Sequence, residues 1–296
     1  MNIKKENTFN FSSREITEAR AERGFTLVDL LVMLEVLGVL AATLLPAFAS
    51  SQPRGKAAQC LNSMRQLTLA WTLYASENNE QLAINSDPHT KGSAFFPAGS
   101  TNPSWITGTV DWTLSQANTN VNYLISNNYS LLGNYLGRSA AVFACPAANI
   151  VSPAQRSLGW NHRIRSVAMD AAVGNGDKYM EPGNPFGWTA WYFARKSTDL
   201  NQPGPGQTWV LIDEHPDSID DGLMYTSSYA TTSFSELPSD LHDGAGAVTF
   251  ADGHVEMHKW TGTVANKPVK FTELQQIPNT FADPDMSWLA QHTPRR

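Results

Sequence analysis

Arg23-Gly24-Phe25-Thr26-Leu27-Val28-Asp29, followed at once by LLVMLEVLGVLAATLLPAFAS over residues 30–50, is the stretch whose reading decides the fold. The apolar run is broken only by Glu35, Thr43 and Pro46. At ~1.5 Å per residue, about twenty residues of helix span ~30 Å, the thickness of a bilayer's hydrocarbon core. No second stretch of the 296-residue chain approaches that length, which predicts a single membrane crossing. Arg20 and Arg23 lie just before the run, where basic residues hold a segment on the cytoplasmic side. Residues 1–24 are polar, with Lys4, Lys5, Arg14, Arg20 and Arg23 set against Glu6, Glu15, Glu18 and Glu22. That is not the basic start, short apolar run and small-residue cleavage site of a secretory signal.

The junction resembles that of the type IV prepilins and type II secretion pseudopilins: a Gly, then Phe-Thr-Leu-(Ile/Val)-Glu, then an apolar helix. The resemblance implies that a prepilin peptidase cuts between Gly24 and Phe25 and methylates the new N-terminal Phe25, so that the hydrophobic helix stays in the mature protein. It also implies that the fifth mature residue, Asp29 where the family has Glu, pairs with the N-terminal amine of an adjoining subunit and sets axial register in a filament. A carboxylate in hydrocarbon costs at least ~2.5–3.5 kcal/mol and needs a partner, unless it lies near enough to the interface to stay hydrated. Glu35, six residues on, is rotated about 240° from Asp29 and cannot share its partner. Protonation and pairing across a subunit contact are both open to it.

A second resemblance lies towards the C-terminus. His242, nine intervening residues and Asp252-Gly253 resemble the His-x9-Asp-Gly motif of prepilin-type proteins. Phe143-Ala144-Cys145-Pro146 and the run from Asp213 to Ser218 look like further pieces of that pattern.

Beyond Pro46, which is expected to kink the helix, Leu61, Met64, Thr68, Trp71 and Ala75 recur at three- and four-residue steps. The helix therefore reads as apolar all round in its lower half and amphipathic in its upper half, to about Asn78, with Pro53 and Gly55 as interruptions. Strands are expected at 140–144, 164–169, 188–194, 207–213, 222–226, 246–251 and 254–260, and a helix over 119–137 capped by Gly137. A two-residue turn at Asp252-Gly253 predicts a hairpin pairing Phe250 with Val255 and Val248 with Met257. A short closing helix is expected from Asp283. The fold class is thus α+β and pilin-like: a long N-terminal helix, transmembrane in its lower half, packed on a mainly antiparallel sheet. The divisions are a leader at 1–24, a transmembrane or filament-core helix at 25–50, its amphipathic upper half at 51–79 and a globular head at 80–296.

Hydrophobic residues make up 42% and charged residues 16%, and the net charge of −6 comes with no basic block. That composition excludes disorder over most of the chain and argues against nucleic acid as a partner. Cys60 and Cys145 fall on the exported side of the expected span, where a disulfide closing a long loop is favoured over two buried thiols. Asp213, Glu214, Asp217, Asp220 and Asp221 crowd five carboxylates before Gly222, a set of hard oxygen ligands suited to calcium, although the EF-hand pattern fails and a solvated acidic loop is the rival. His242, Asp252, His254 and His258 suggest a metal or acid–base site, against which Asp252 is already explained by the turn. No phosphate-loop, His-Glu-x-x-His or Gly-x-Ser-x-Gly motif is present.

The sequence therefore predicts a structural subunit rather than an enzyme, processed at Gly24 and assembled with other pilin or pseudopilin subunits into a type IV pilus or secretion pseudopilus. It requires no cofactor beyond optional calcium. Its expected place is the inner membrane, crossed once, with the head in the periplasm or on an extracellular filament. The alternative is a membrane-tethered periplasmic module that binds calcium or glycan and does not polymerise.

Overall fold

The computed structural model describes residues 26–85, 104–174, 193–226, 233–234, 236–262, 267–273, 277–278 and 283–295, with the backbone alone described at 41–53, 233–234 and 277–278. The chain divides into two compact units, Met1–Ser50 and Ser51–Arg296. Helix α1, Leu27–Glu77, contributes to both.

The start of α1 is fixed by a reciprocal cap. The Thr26 backbone N–H donates to the Asp29 carboxylate at 3.0 Å, and the Asp29 N–H donates back to Thr26 Oγ1 at 3.2 Å. The Thr26 hydroxyl also donates to that carboxylate, at 2.7 Å. This is a capping box, which satisfies helix donors that have no partner in the preceding turn. These bonds hold the Asp29 carboxyl below the usual carboxylate range.

Two expectations about this region are corrected. Among the described residues no helix is long and apolar enough to cross a membrane. With that finding, neither the single-pass inner-membrane placement nor the pilin-like fold with a transmembrane lower half stands. The helix backbone is also continuous through Pro46, Pro53 and Gly55. Each proline removes one bond from the ladder, and the turns on either side carry the helix across.

In the second unit, the upper half of α1 buries Cys60, Met64, Leu67, Thr68, Ala70, Trp71 and Ala75, the face its periodicity predicts. That face shares a core with one side of a five-stranded sheet ordered β3-β1-β2-β5-β6. The strands are β1 (Val167–Asp170), β2 (Trp209–Asp213), β3 (Leu223–Met224), β5 (Ala245–Phe250) and β6 (Val255–Lys259). A separate pair, β4 (Ser233–Phe234) and β7 (Ile277–Pro278), is antiparallel. The other side of the large sheet packs Trp209, Ile212, Val248 and Phe250 against Met286 and Leu289 of α4 (Pro284–Gln291). Asp283 caps α4 by accepting the N–H groups of Asp285 and Met286.

The sheet is mixed, not simply antiparallel, because β3 lies parallel to β1. Arg165 explains its position. The guanidinium is buried and donates to the carbonyls of Val167, Asp220 and Asp221, which ties the approach to β3 beside the start of β1.

The β5–β6 hairpin differs from the expected register by one residue. The Phe250 N–H donates to His254 O at 3.0 Å, so the loop holds three residues, with Gly253 at φ +96°. The pairs are Ala247 with Met257, Val248 with Glu256 and Thr249 with Val255. A one-residue slip exchanges faces. It places Ala247, Val255 and Met257 in the core under α1 and sends Val248 and Phe250 to α4.

Two local expectations also change. The stretch 119–137 is not one helix but α2 (Asn122–Ile125) and a 3-10 turn at Gly133–Leu136. Gly133 lies so close to the preceding turn that a Cβ would sit 2.5 Å from Ile125 O. Gly137 does cap, at φ +57°. Residues 140–143 form a 3-10 turn instead of a strand, and of the strand expected at 188–194 residues 188–192 lie outside the described residues. The short α3 (Pro153–Ser157) is held by a capping box from Ser152.

Because Leu67 is fully buried under the sheet, Leu67→Ala is expected to cost about 2–5 kcal/mol in denaturant unfolding. Leu69→Ala, on the exposed face of the same helix, should stay within about 0.5 kcal/mol of the parent.

Candidate functional site

Four side chains from separate elements of the second unit converge on one point. Cys60 lies on the buried face of α1, and Cys145 follows the 3-10 turn at Ala140–Phe143. Asp213 ends β2, and His242 sits in the loop that leads into β5. Their ligand atoms all lie within 4.8 Å of one another. Cys145 Sγ and His242 Nε2 are 3.0 Å apart. Cys60, Cys145 and Asp213 are buried, and His242 is partly buried.

Ser166, at the entrance to β1, orders two of the four. Its hydroxyl donates to Asp213 Oδ1 at 2.6 Å and accepts the Cys145 N–H at 2.7 Å. The Ala147 N–H points at Cys145 Sγ from 3.4 Å, a contact that favours negative charge on the sulfur. The His242 loop closes through mutual backbone bonds with Ala245, with Asp243 and Gly244 in the left-handed region at φ +58° and +74°.

Burial pushes the Asp213 carboxyl up to about 6, against the pull of the neighbouring Ser166, Cys145 and Ser239 side chains. Its Oδ2 is buried and has no hydrogen-bond partner. Hydrogen bonding to Cys145, then burial and the negative charge of Asp213, push the Cys60 thiol up. Burial and the nearby Lys56 push His242 down, which leaves a neutral imidazole. The site thus gathers two sulfurs, a nitrogen and a carboxylate with no cationic group among them.

The expected Cys60–Cys145 disulfide is not formed. The two cysteines do meet, but as free thiols, with His242 and Asp213 sharing the space between the elements that carry them. Nor do the five carboxylates proposed for calcium gather. Glu214 accepts the Ser218 hydroxyl, Asp217 the N–H groups of Lys270 and Phe271, Asp220 the Asp221 N–H, and Asp221 the Leu223 N–H. Only Asp213 of the five joins a group of metal-ligating side chains found among the described residues.

The His-x9-Asp-Gly motif separates into two roles. His242 precedes β5 and Asp252 follows it, and six residues of strand extend ~20 Å. Asp252 serves the hairpin loop, accepting the His254 N–H at 3.0 Å and facing His254 Nδ1 at 2.6 Å. A hydrolytic site built from His242, Asp252 and His254 is therefore not assembled. The Cys145–His242 contact has the form of a nucleophile and base, yet Cys145 is only 3% exposed, which closes it to a substrate.

Among the tryptophans, which a glycan-binding role would call on, Trp105 is core and donates to Gly222 O, and Trp112 carries the Arg163 guanidinium 3.9 Å from its ring centre. Trp188 and Trp191 lie outside the described residues, as do the processing residues Gly24 and Phe25. Asp29 is described, and its carboxylate is already engaged by Thr26 of its own chain.

Sequence reasoning distributed the four converging residues among a disulfide, a calcium loop and a motif. They stand far apart in sequence with no ligand-like spacing, so no local signal joined them. Ser166 gave none at all. The Thr26–Asp29 cap did have one: Thr-x-x-Asp before an apolar run. Comparison with protein-family models, curated proteins and solved structures found no match.

Two free thiols are expected per chain when the protein is denatured without reductant, and neither should react at the rate of an exposed thiol while it is folded. Millimolar calcium should leave Tm unchanged; a calcium-dependent rise of several degrees would restore the acidic-loop site.

Proposed function

We propose that the chain is a structural subunit that polymerises through the lower half of α1, as prepilin-like proteins do, after a prepilin-type peptidase removes residues 1–24. One observation carries this reading. Leu27, Val28, Leu30, Leu31, Val32, Met33, Leu34, Val36, Leu37, Val39 and Leu40 are each more than half exposed, and they occupy every side of the helix.

A helix that docks on one globular partner needs only a stripe of apolar residues, whereas one that is apolar all round is buried from all sides. Magnitudes favour several neighbours over one. Full burial of such a side chain contributes ~1.5–3 kcal/mol, so covering the exposed half of all eleven gives on the order of 10–20 kcal/mol. Association costs ~4–15 kcal/mol, and a single neighbouring helix covering roughly a third of the circumference contributes only ~3–7 kcal/mol, which reaches the lower part of that range. A bundle of like helices covers the remainder. In this reading Asp29 begins in its own helix cap, and the amine of Phe25 in an adjoining subunit competes with Thr26 for it.

Leu31 and Leu37 lie about 240° apart around the helix and provide the test. In a bundle, Leu31→Glu and Leu37→Glu each abolish filaments seen by negative-stain microscopy and return the protein to monomer in sedimentation. If only one of the two does so, docking is one-sided. Parent protein that stays monomeric at tens of micromolar, or an intact Met1 in protein recovered from its own cells, overturns the proposal.

A further inference from the structure

We propose that Cys60, Cys145, Asp213 and His242 form a binding site for one zinc-like divalent cation, closed by four protein ligands. Zinc prefers sulfur and imidazole nitrogen, accepts a carboxylate oxygen as a further ligand, and in structural sites is four-coordinate and tetrahedral. With Zn–S near ~2.3 Å and Zn–N or Zn–O near ~2.0–2.1 Å, tetrahedral geometry sets neighbouring ligand atoms roughly 3.3–3.8 Å apart. Ligand atoms already within 4.8 Å of one another need move by no more than side-chain adjustments to meet that.

Three observations point to a cation rather than to a chance cluster. Asp213 Oδ2 is buried with no hydrogen-bond partner, an arrangement that costs free energy unless something positive occupies the space before it. The Ala147 N–H is aimed at Cys145 Sγ, the donor a ligating thiolate uses. Ser166 supplies the outer layer such sites require, orienting Asp213 through its hydroxyl and Cys145 through its backbone. The hard-ligand cations fit poorly, since calcium and magnesium require mostly oxygen, and only one carboxylate is present.

The ligands come from α1, from the loop after residue 143, from the end of β2 and from the loop before β5. A cation there cross-links the helix to the sheet at a single point, through the same two cysteines expected to form a disulfide. With four protein ligands and buried sulfurs the role is structural, with no position left open for substrate.

The test uses the full chain, reduced with a non-chelating phosphine and freed of metal. Cobalt(II) should bind one per chain, giving a thiolate-to-cobalt charge-transfer band and the strong visible bands of a tetrahedral site. Zinc should displace it and, at hundredfold excess over Kd, raise Tm by roughly 5–10 °C, which a chelator reverses. Cys60→Ser and His242→Ala should each weaken binding by more than the ~10–100-fold expected for Ser166→Ala. Asp252→Ala, outside the cluster, should bind as the parent does. The chelator reversal is read on the parent protein, so it holds even if a variant fails to fold. Reduced parent chain that retains no cobalt or zinc overturns the site, as does binding that survives in Cys60→Ser, or a Cys60–Cys145 disulfide formed in air while zinc is bound in stoichiometric amount.

Discussion

The burial of one face of α1, from Cys60 to Ala75, against the sheet is the contact on which the rest of the second unit depends. Met64 and Leu67 are wholly buried there, among the largest side chains in the core. Val167 and Met169 of β1, Leu211 of β2 and Ala247 of β5 meet that helix face because their strands turn one side to it. The alternate residues Ala168, Ile212 and Val248 then fall on the opposite side, where α4 covers them. A sheet covered on both faces tolerates no solvent-facing alternation, and β1, β2 and β5 are accordingly buried at every residue.

That same contact delivers Cys60 to the place where Cys145, Asp213 and His242 arrive. The cluster stands at a convergence of the helix, the end of β2 and two loops, so its geometry is only as good as the packing of α1. Ser166 adds a local constraint that packing alone does not supply, since one hydroxyl serves both the Asp213 carboxylate and the Cys145 backbone. The cluster belongs to the second unit, whereas the exposed apolar side chains from Leu27 to Leu40 belong to the first.

Much of the fold was legible from residue patterns. The three- and four-residue steps from Leu61 to Ala75 marked the buried face of α1, and Asp283 marked the start of α4. Three strands, β2, β3 and β6, fall within the expected segments, and β5 begins one residue before its own. The hairpin register was not legible, because Asp252-Gly253 reads as a two-residue turn and only the Phe250–His254 bond shows that the loop holds three. The helix expected over 119–137 stops at Ile125, where Ser126 turns extended, and Gly133 then folds back so close to Ile125 that a Cβ would sit 2.5 Å from its carbonyl oxygen. The membrane span read over residues 30–50 is also not borne out, since among the described residues no helix is long and apolar enough to cross a bilayer.

What the sequence determined by itself is what depends on neighbours within about four residues: the capping box at Thr26 and Asp29, the apolar girdle from Leu27 to Leu40, and the amphipathic face above it. Helix caps and helix faces are local, so the pattern that specifies them can be read in order along the chain. Tertiary structure alone decided the parallel placement of β3, the face exchange in the hairpin, and the meeting of Cys60, Cys145, Asp213 and His242. The first and the last depend on interactions between residues that lie tens of positions apart, and the second on whether the loop after Phe250 holds two residues or three, which the Asp252-Gly253 pair leaves open.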